Sequence, residues 1–222
     1  NDAGIALFSS PSNILANNTL NNNRFDGIYF EQSNENSITG NTLNINTRSG
    51  IFLSFSYSDI LIKNKASNSP YGIYFEYSNG HNISGNTFIA NSFGAYLLNS
   101  VENLVYNNFF NNSVNAFAND INAWNITKTL GRNIVGGDYL GGNFWHNYNG
   151  TDLDGDGLGD TYLPYNSSNS IKFGGDFLPL VFVLLGDVNG DKKVDIIDLA
   201  TVGKAFGSQP GDANWNPDAD AN

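Results

Sequence analysis

The sequence predicts an all-β fold: a right-handed single-stranded parallel β-helix of about six coils of 21–23 residues, then a capping segment and a small α-helical module. Three observations carry this prediction. A repeat of about 22 residues runs through the first half of the chain, apolar residues alternate in short runs within each repeat, and asparagine is the commonest residue, 38 of 222. Asn suits strands and helices poorly but serves turns well, so its abundance implies a turn every few residues. An apolar fraction of 40% with 14% aromatics is too high for a disordered low-complexity chain.

The repeat opens on Gly4-Ile5-Ala6-Leu7, which recurs as Gly27-Ile28-Tyr29-Phe30, Gly50-Ile51-Phe52-Leu53, Gly72-Ile73-Tyr74-Phe75 and Gly94-Ala95-Tyr96-Leu97. Counting from each glycine, position six is Ser10, Ser33, Ser56, Ser78 and Ser100. Position eleven is Leu15, Ile38, Leu61, Ile83 and Val105, and position fourteen is Asn18, Asn41, Asn64, Asn86 and Asn108. Position sixteen is Leu20, Leu43, Ala66, Phe88 and Phe110. Registers held over five repeats mark a solenoid.

Alternation broken by Asn, Ser and Gly is strand patterning with turns. A leucine-rich repeat has similar length but needs denser leucine and a helical half, which this pattern lacks. A parallel β-helix remains, one repeat per coil, with coils stacked at about 4.8 Å. Residues one and three after each glycine, such as Ile28 and Phe30, are expected to point inward. Asn at position fourteen is expected to stack as an amide ladder between coils. Residues 115–135 read as a degraded sixth coil, with Asn115-Ala116-Phe117 in place of the glycine run. The aromatic, glycine-rich stretch from Gly136 to Tyr148 reads as a cap over the open sheet edge. At the other end the chain begins directly in the repeat pattern, which leaves further coils or a neighbouring subunit to cover it.

Ten basic against 21 acidic residues give a formal charge of −11, which disfavours nucleic acid and anionic lipid as partners. The chain has no Cys, so it forms no disulfide or thiolate metal site. It also has no Met, and only His81 and His146 offer soft or borderline metal ligands. The longest apolar run, Phe177 to Leu185, is far short of the roughly 20 residues that span a bilayer. From Asp152 onward the acidic residues come in tight clusters, which suggests divalent cations.

The linear order of motifs is distinctive. The coils are followed by Asn133-Ile134-Val135-Gly136-Gly137, then Gly141-Gly142-Asn143-Phe144-Trp145, then Asp152-Leu153-Asp154-Gly155-Asp156-Gly157-Leu158-Gly159-Asp160-Thr161. Over roughly residues 1–180 this resembles the NosD-like parallel β-helix proteins of archaeal cell surfaces, grouped with carbohydrate-binding and sugar-hydrolase β-helix domains. The resemblance implies the fold and a secreted or cell-surface location. The family label spans copper-enzyme maturation, polysaccharide processing and surface display.

Asp187-Val188-Asn189-Gly190-Asp191-Lys192-Lys193-Val194-Asp195-Ile196-Ile197-Asp198 places oxygen ligands at positions 1, 3, 5, 9 and 12 of a loop, with the Lys193 carbonyl at position 7. That spacing supplies the six to eight hard oxygens calcium requires. Asp at position 12, Lys at position 6 and Gly186 before the loop resemble a dockerin module, whose helix would run from Ile196 to Phe206. Dockerins carry two such loops, and Asp220-Ala221-Asn222 looks like the start of the second, truncated here. The resemblance implies a cohesin-like protein partner. Asp152, Asp154, Asp156 and Asp160 form a second acidic run with interleaved glycines, a short calcium-holding turn of the kind thrombospondin-like repeats use. Calcium is the expected cofactor of both.

The expected domains are the β-helix at 1–135, the capping segment with its Asp-rich loop at 136–184, and the dockerin-like module at 185–222. Tyr29, Phe52, Tyr74 and Tyr96 fall two residues after the glycines, pointing out of one sheet on consecutive coils. They form a candidate surface for sugar rings or a protein partner, against the plainer reading that they stack on one another. Glu31 and Glu76 line the neighbouring outward row two coils apart, with His81 nearby. They are a candidate carboxylate pair, against the plainer reading of solvated glutamates. Asn17, Asn82, Asn111, Asn125, Asn149 and Asn166 begin glycosylation sequons, a number that the abundance of Asn, Ser and Thr alone accounts for. No catalytic set is assigned. The leading expectation is a non-catalytic structural or adhesion β-helix outside the cell, joined to partners through calcium-stabilised modules. Polysaccharide binding or processing is the first alternative, and self-assembly into a surface filament or sheath is the second.

Overall fold

The computed structural model describes residues 2–182, 194, 196–206, 208–209 and 212–213. They belong to two units, Asn1–Val181 and Phe182–Asn222. The first unit is a parallel β-solenoid. Its first coil is β1 (Ala3–Phe8), β2 (Ile14–Ala16) and β3 (Thr19–Asn21); its second is β4 (Asp26–Glu31), β5 (Ser37–Thr39) and β6 (Thr42–Asn44). The third is β7 (Ser49–Ser54), β8 (Ile60–Ile62) and β9 (Lys65–Ser67). The fourth is β10 (Tyr71–Glu76), β11 (Asn82–Ser84) and β12 (Thr87–Ile89), and the fifth is β13 (Phe93–Leu98), β14 (Leu104–Tyr106) and β15 (Phe109–Asn111). The three strands of each coil stack on their counterparts as three parallel sheets.

Five coils are therefore complete, and a sixth is interrupted. Its first strand, β16 (Val114–Ala118), continues the first sheet beside β13, and Ala123 bridges Leu104 of the second. The chain then makes an excursion containing the antiparallel pair β17 (Thr129–Leu130) and β18 (Tyr139–Leu140). It returns with β19 (Phe144–Trp145), which pairs with β15 in the third sheet. The last strand of the solenoid thus lies beyond residue 135, where the repeat pattern in the sequence ends.

Pleating alternates side chains in and out, so residues one and three after each glycine enter the core. Ile28, Phe30, Ile51, Leu53, Ile73, Phe75, Ala95 and Leu97 are all fully buried. The glycines are needed because coils approach closely there: a Cβ on Gly50 would lie 2.7 Å from the Gly72 carbonyl oxygen and 2.7 Å from Ala66 Cβ. At the far end the core is closed by aromatics. Trp145 stacks on Phe110 at 4.5 Å and on Tyr165 at 4.6 Å, with Trp124 beside it.

The corners are held by polar columns. Along the predicted position-fourteen column, the Asn41 backbone N–H and Nδ2 both donate to Asn64 Oδ1, each at 2.9 Å. Asn64 donates likewise to Asn86, and Asn86 to Asn108. Buried amides must be paired, and here each coil satisfies its neighbour. The column does not stop at the fifth coil. Asn108 donates to Asn143, 35 residues on, and the Asn143 N–H donates to Asp176 Oδ2 at 2.7 Å. In the second unit, α1 (Ile196–Ala205) occupies the span the sequence assigned to a helix.

Candidate functional site

The acidic loop after β19 is built from tight turns in which each carboxylate accepts nearby backbone N–H groups. Asp152 Oδ1 accepts from Gly155 at 2.8 Å and Oδ2 from Gly157 at 2.7 Å, while Asp156 Oδ1 accepts from Leu158 at 2.7 Å. Gly155 and Gly157 have φ of +79° and +84°, which explains the interleaved glycines: only they adopt this backbone without strain. The turns bring one oxygen of Asp152, Asp154 and Asp156 within 4.8 Å of one another. Asp160 does not join them; its Oδ2 accepts the Leu153 N–H at 2.7 Å and so closes the loop. Lys128, arriving from the excursion between Ala123 and β18, forms an ion pair with Asp156 Oδ2. The ammonium offsets part of the carboxylate repulsion.

Of the second expected loop, Asp198 is described. It lies in the first turn of α1 and is buried, 3% exposed. Asp187, Asn189, Asp191, Lys193, Asp195, Asp220 and Asn222 lie outside the described residues.

The aromatic row on the first sheet stacks on itself. Tyr29 and Phe52 lie 5.3 Å apart at 24°, Phe52 and Tyr74 4.6 Å apart at 17°, and Tyr74 meets Tyr96 edge-on at 5.3 Å. Arg48 lies 4.3 Å from the Phe52 ring centroid and leaves that residue 5% exposed. The rings of this row pack against one another from coil to coil, stacked from Tyr29 to Tyr74 and edge-on at Tyr96. Glu31 and Glu76 stand in one row with Ser54 between them, and Glu31 accepts the Tyr29 hydroxyl at 2.8 Å. His81 is not beside them. It is fully buried at the next corner, where its Nδ1 accepts the Asp59 N–H at 3.0 Å. A side chain nine residues after the glycine starts a column that position-fourteen counting misses: Asn13, Asn36, Asp59, His81, Asn103 and Asn122.

Burial shifts this column's two titratable members in opposite senses. The Asp59 carboxyl is raised to about 6, desolvation outweighing its bonds from Asn36, and the His81 imidazole is lowered to about 3. Asp176 at the end of the other column is raised to about 7 by complete burial, against donors from Asn143, Trp145 and Leu178. Among the sequons, Asn17, Asn111 and Asn149 are exposed, Asn82, Asn125 and Asn166 partly so.

Three parallel sheets wound into one solenoid, polar corner columns and an aromatic end cap define a parallel β-helix protein. Residues 1–150 match the family model described as "Periplasmic copper-binding protein (NosD)", and the chain belongs to that family. Comparison with curated proteins and with solved structures finds no match. No helix among the described residues is long and apolar enough to cross a membrane.

The family's description names copper, and the donors in this chain do not fit it. Copper sites draw on thiolate and thioether for Cu(I), and on nitrogen donors, imidazole above all, alongside oxygen for Cu(II). The chain has neither Cys nor Met, and its two imidazoles sit at different corners. His81 has Nδ1 committed to the Asp59 N–H inside the fourth coil, whereas exposed His146 follows β19 and contacts Asn115. The acidic loop offers hard oxygen alone.

Proposed function

We propose that this NosD-family chain is a non-catalytic structural β-helix at the cell surface or outside the cell, whose acidic turns hold calcium and whose C-terminal module joins it to a protein partner. The observation that carries the calcium reading is the convergence of Asp152, Asp154 and Asp156, with Lys128 paired to one of the three. Hard, flexible oxygen ligands on glycine turns suit calcium better than a transition metal. The order of residues from Asp187 to Asp198, the last of them in the first turn of α1, supports a second, dockerin-like calcium loop and a cohesin-like partner. The corner columns support a structural role, since they commit the buried polar side chains to holding coils together.

Calcium titration of the full chain by calorimetry tests this reading. The wild type is expected to take up calcium at millimolar concentration or below, and Asp154→Asn with Asp156→Asn to lose one class of site. Asp198→Asn should abolish a different class. A wild type that releases no heat with calcium refutes the proposal.

A further inference from the structure

An open pocket of about 470 Å³ lies beside the acidic loop, and its lining has a chemistry of its own. Its apolar walls are the rings of Tyr148, Tyr162 and Tyr165, with Pro164 between the last two. Tyr148 and Tyr165 are fixed from behind. The Tyr148 hydroxyl donates to the Thr161 carbonyl at 2.5 Å, and the Tyr165 hydroxyl donates to Asn147 Oδ1 at 2.7 Å while accepting from Asn115. Tyr162 is the reverse case, 80% exposed and held out by a left-handed backbone at φ +53°.

The opposite rim is strained. Ser167, Ser168 and Asn169 are consecutive left-handed residues, at φ +51°, +54° and +67°. Non-glycine residues visit this region singly, at a cost of about 1–2 kcal/mol each, and strain of this kind gathers at ligand sites. Two bonds between Asn166 and Asn169 and one from the Ala116 N–H to Ser167 Oγ hold the turn in place. The turn presents the exposed Ser168 hydroxyl to the pocket. Asn147 and Asn149, both exposed, line the same space, and among the described residues the Asn149 side chain and the Asn147 Nδ2 have no hydrogen-bond partner. Among the described residues, no Lys, Arg, His, Asp or Glu lines it.

We propose that this pocket binds a neutral saccharide. Flat, amphipathic rings are what aromatic walls take, and hydroxyl groups match neutral amides and a serine hydroxyl. Without a cationic side chain the site does not select a uronate or a sulfated sugar. The inference is independent of the calcium reading, because every contact that shapes the pocket is made by protein groups. It is also a different site from the first-sheet aromatic row.

The test uses the full chain made in a host without N-glycosylation, since a glycan on Asn149 or Asn166 would enter the pocket. Maltotriose, cellotriose and chitotriose are titrated by NMR, with trigalacturonic acid as the acidic comparison. At least one neutral trisaccharide is expected to bind, perturbing residues 147–168 and not the first-sheet row. Tyr162→Ala should weaken binding about tenfold, as loss of one stacked ring implies, with an unchanged melting temperature. Asn149→Ala should weaken it by about fivefold. The proposal is overturned if none of the three neutral sugars binds, if both variants bind as wild type does, or if trigalacturonic acid is preferred.

Discussion

Two residues in the corner column starting at Asn13 depart from the asparagine pattern, and their chemistry predicts how stability responds to pH. Asp59 Oδ1 receives both donors from Asn36, while Oδ2 has no partner except His81 Nδ1, 3.4 Å away. His81 Nδ1 already accepts the Asp59 N–H, so the ring is neutral with its proton on Nε2, against Phe75. Among the described residues, no other titratable side chain perturbs either group. The Asp59 carboxyl is raised, so its contribution to stability is fully present below its unfolded value near 3.8 and is lost as pH rises through about 6. The His81 imidazole is lowered, so its contribution is present above its unfolded value near 6.5 and is lost as pH falls toward about 3. Asp59→Asn restores an amide to the column. The variant should exceed the wild type in stability by about 2–3 kcal/mol at pH 8, and the gap should close by pH 4. Urea unfolding at the two pH values measures this, and a gap independent of pH would show that the carboxyl is not the cause.

At the scale of elements, what binds one strand set to the next is the amide ladder as much as the apolar core. The central position of that ladder is Asn64, whose Oδ1 takes two bonds from Asn41 and whose own donors go to Asn86 and the Ile38 carbonyl. Asn64→Ala leaves the buried Asn41 backbone N–H unpaired, takes one of the bonds of Asn41 Nδ2, which keeps the Leu15 carbonyl, and removes Asn64's own bonds to Asn86 and the Ile38 carbonyl, at about 1–3 kcal/mol for each group left unsatisfied. We expect a loss of about 3 kcal/mol or more, against less than about 1 kcal/mol for Asn34→Ala, whose side chain is only partly buried; thermal denaturation separates the two. The position-fourteen ladder was legible in the sequence because one residue type fills it five times. The column through Asp59 and His81 was not, because Asn, Asp and His share an acceptor atom at the right place and no common letter. Asp176 was hidden for a similar reason. It ends the ladder from outside any repeat, accepting the Asn143 N–H and the Trp145 indole N–H through one oxygen.

For the whole molecule, repetition decided what could be read in advance. Coils one to five follow from spacing, since each buries the same positions against its neighbour. The sixth does not, because its third strand comes after an excursion and is identified in space, by pairing of β19 with β15 and by stacking of Phe144 on Phe109 and Trp145 on Phe110. The pocket beside the acidic loop left no periodic signal: its rings and amides belong to two segments, 147–149 and 162–168, joined by that loop. The acidic turns were legible as a motif, and three of their four carboxylates converge. A solenoid's coils contact only their neighbours, so metal at one end need not stiffen the rest. Amide hydrogen exchange of the full chain, followed by mass spectrometry with calcium and with chelator, tests that arrangement directly. Peptides from residues 26–111 should be equally protected in both conditions, while residues 151–161 should gain protection only with calcium. Equal exchange of the acidic turns in the two conditions, or loss of protection through the coils on chelation, would contradict a metal-independent scaffold carrying a calcium-ordered loop.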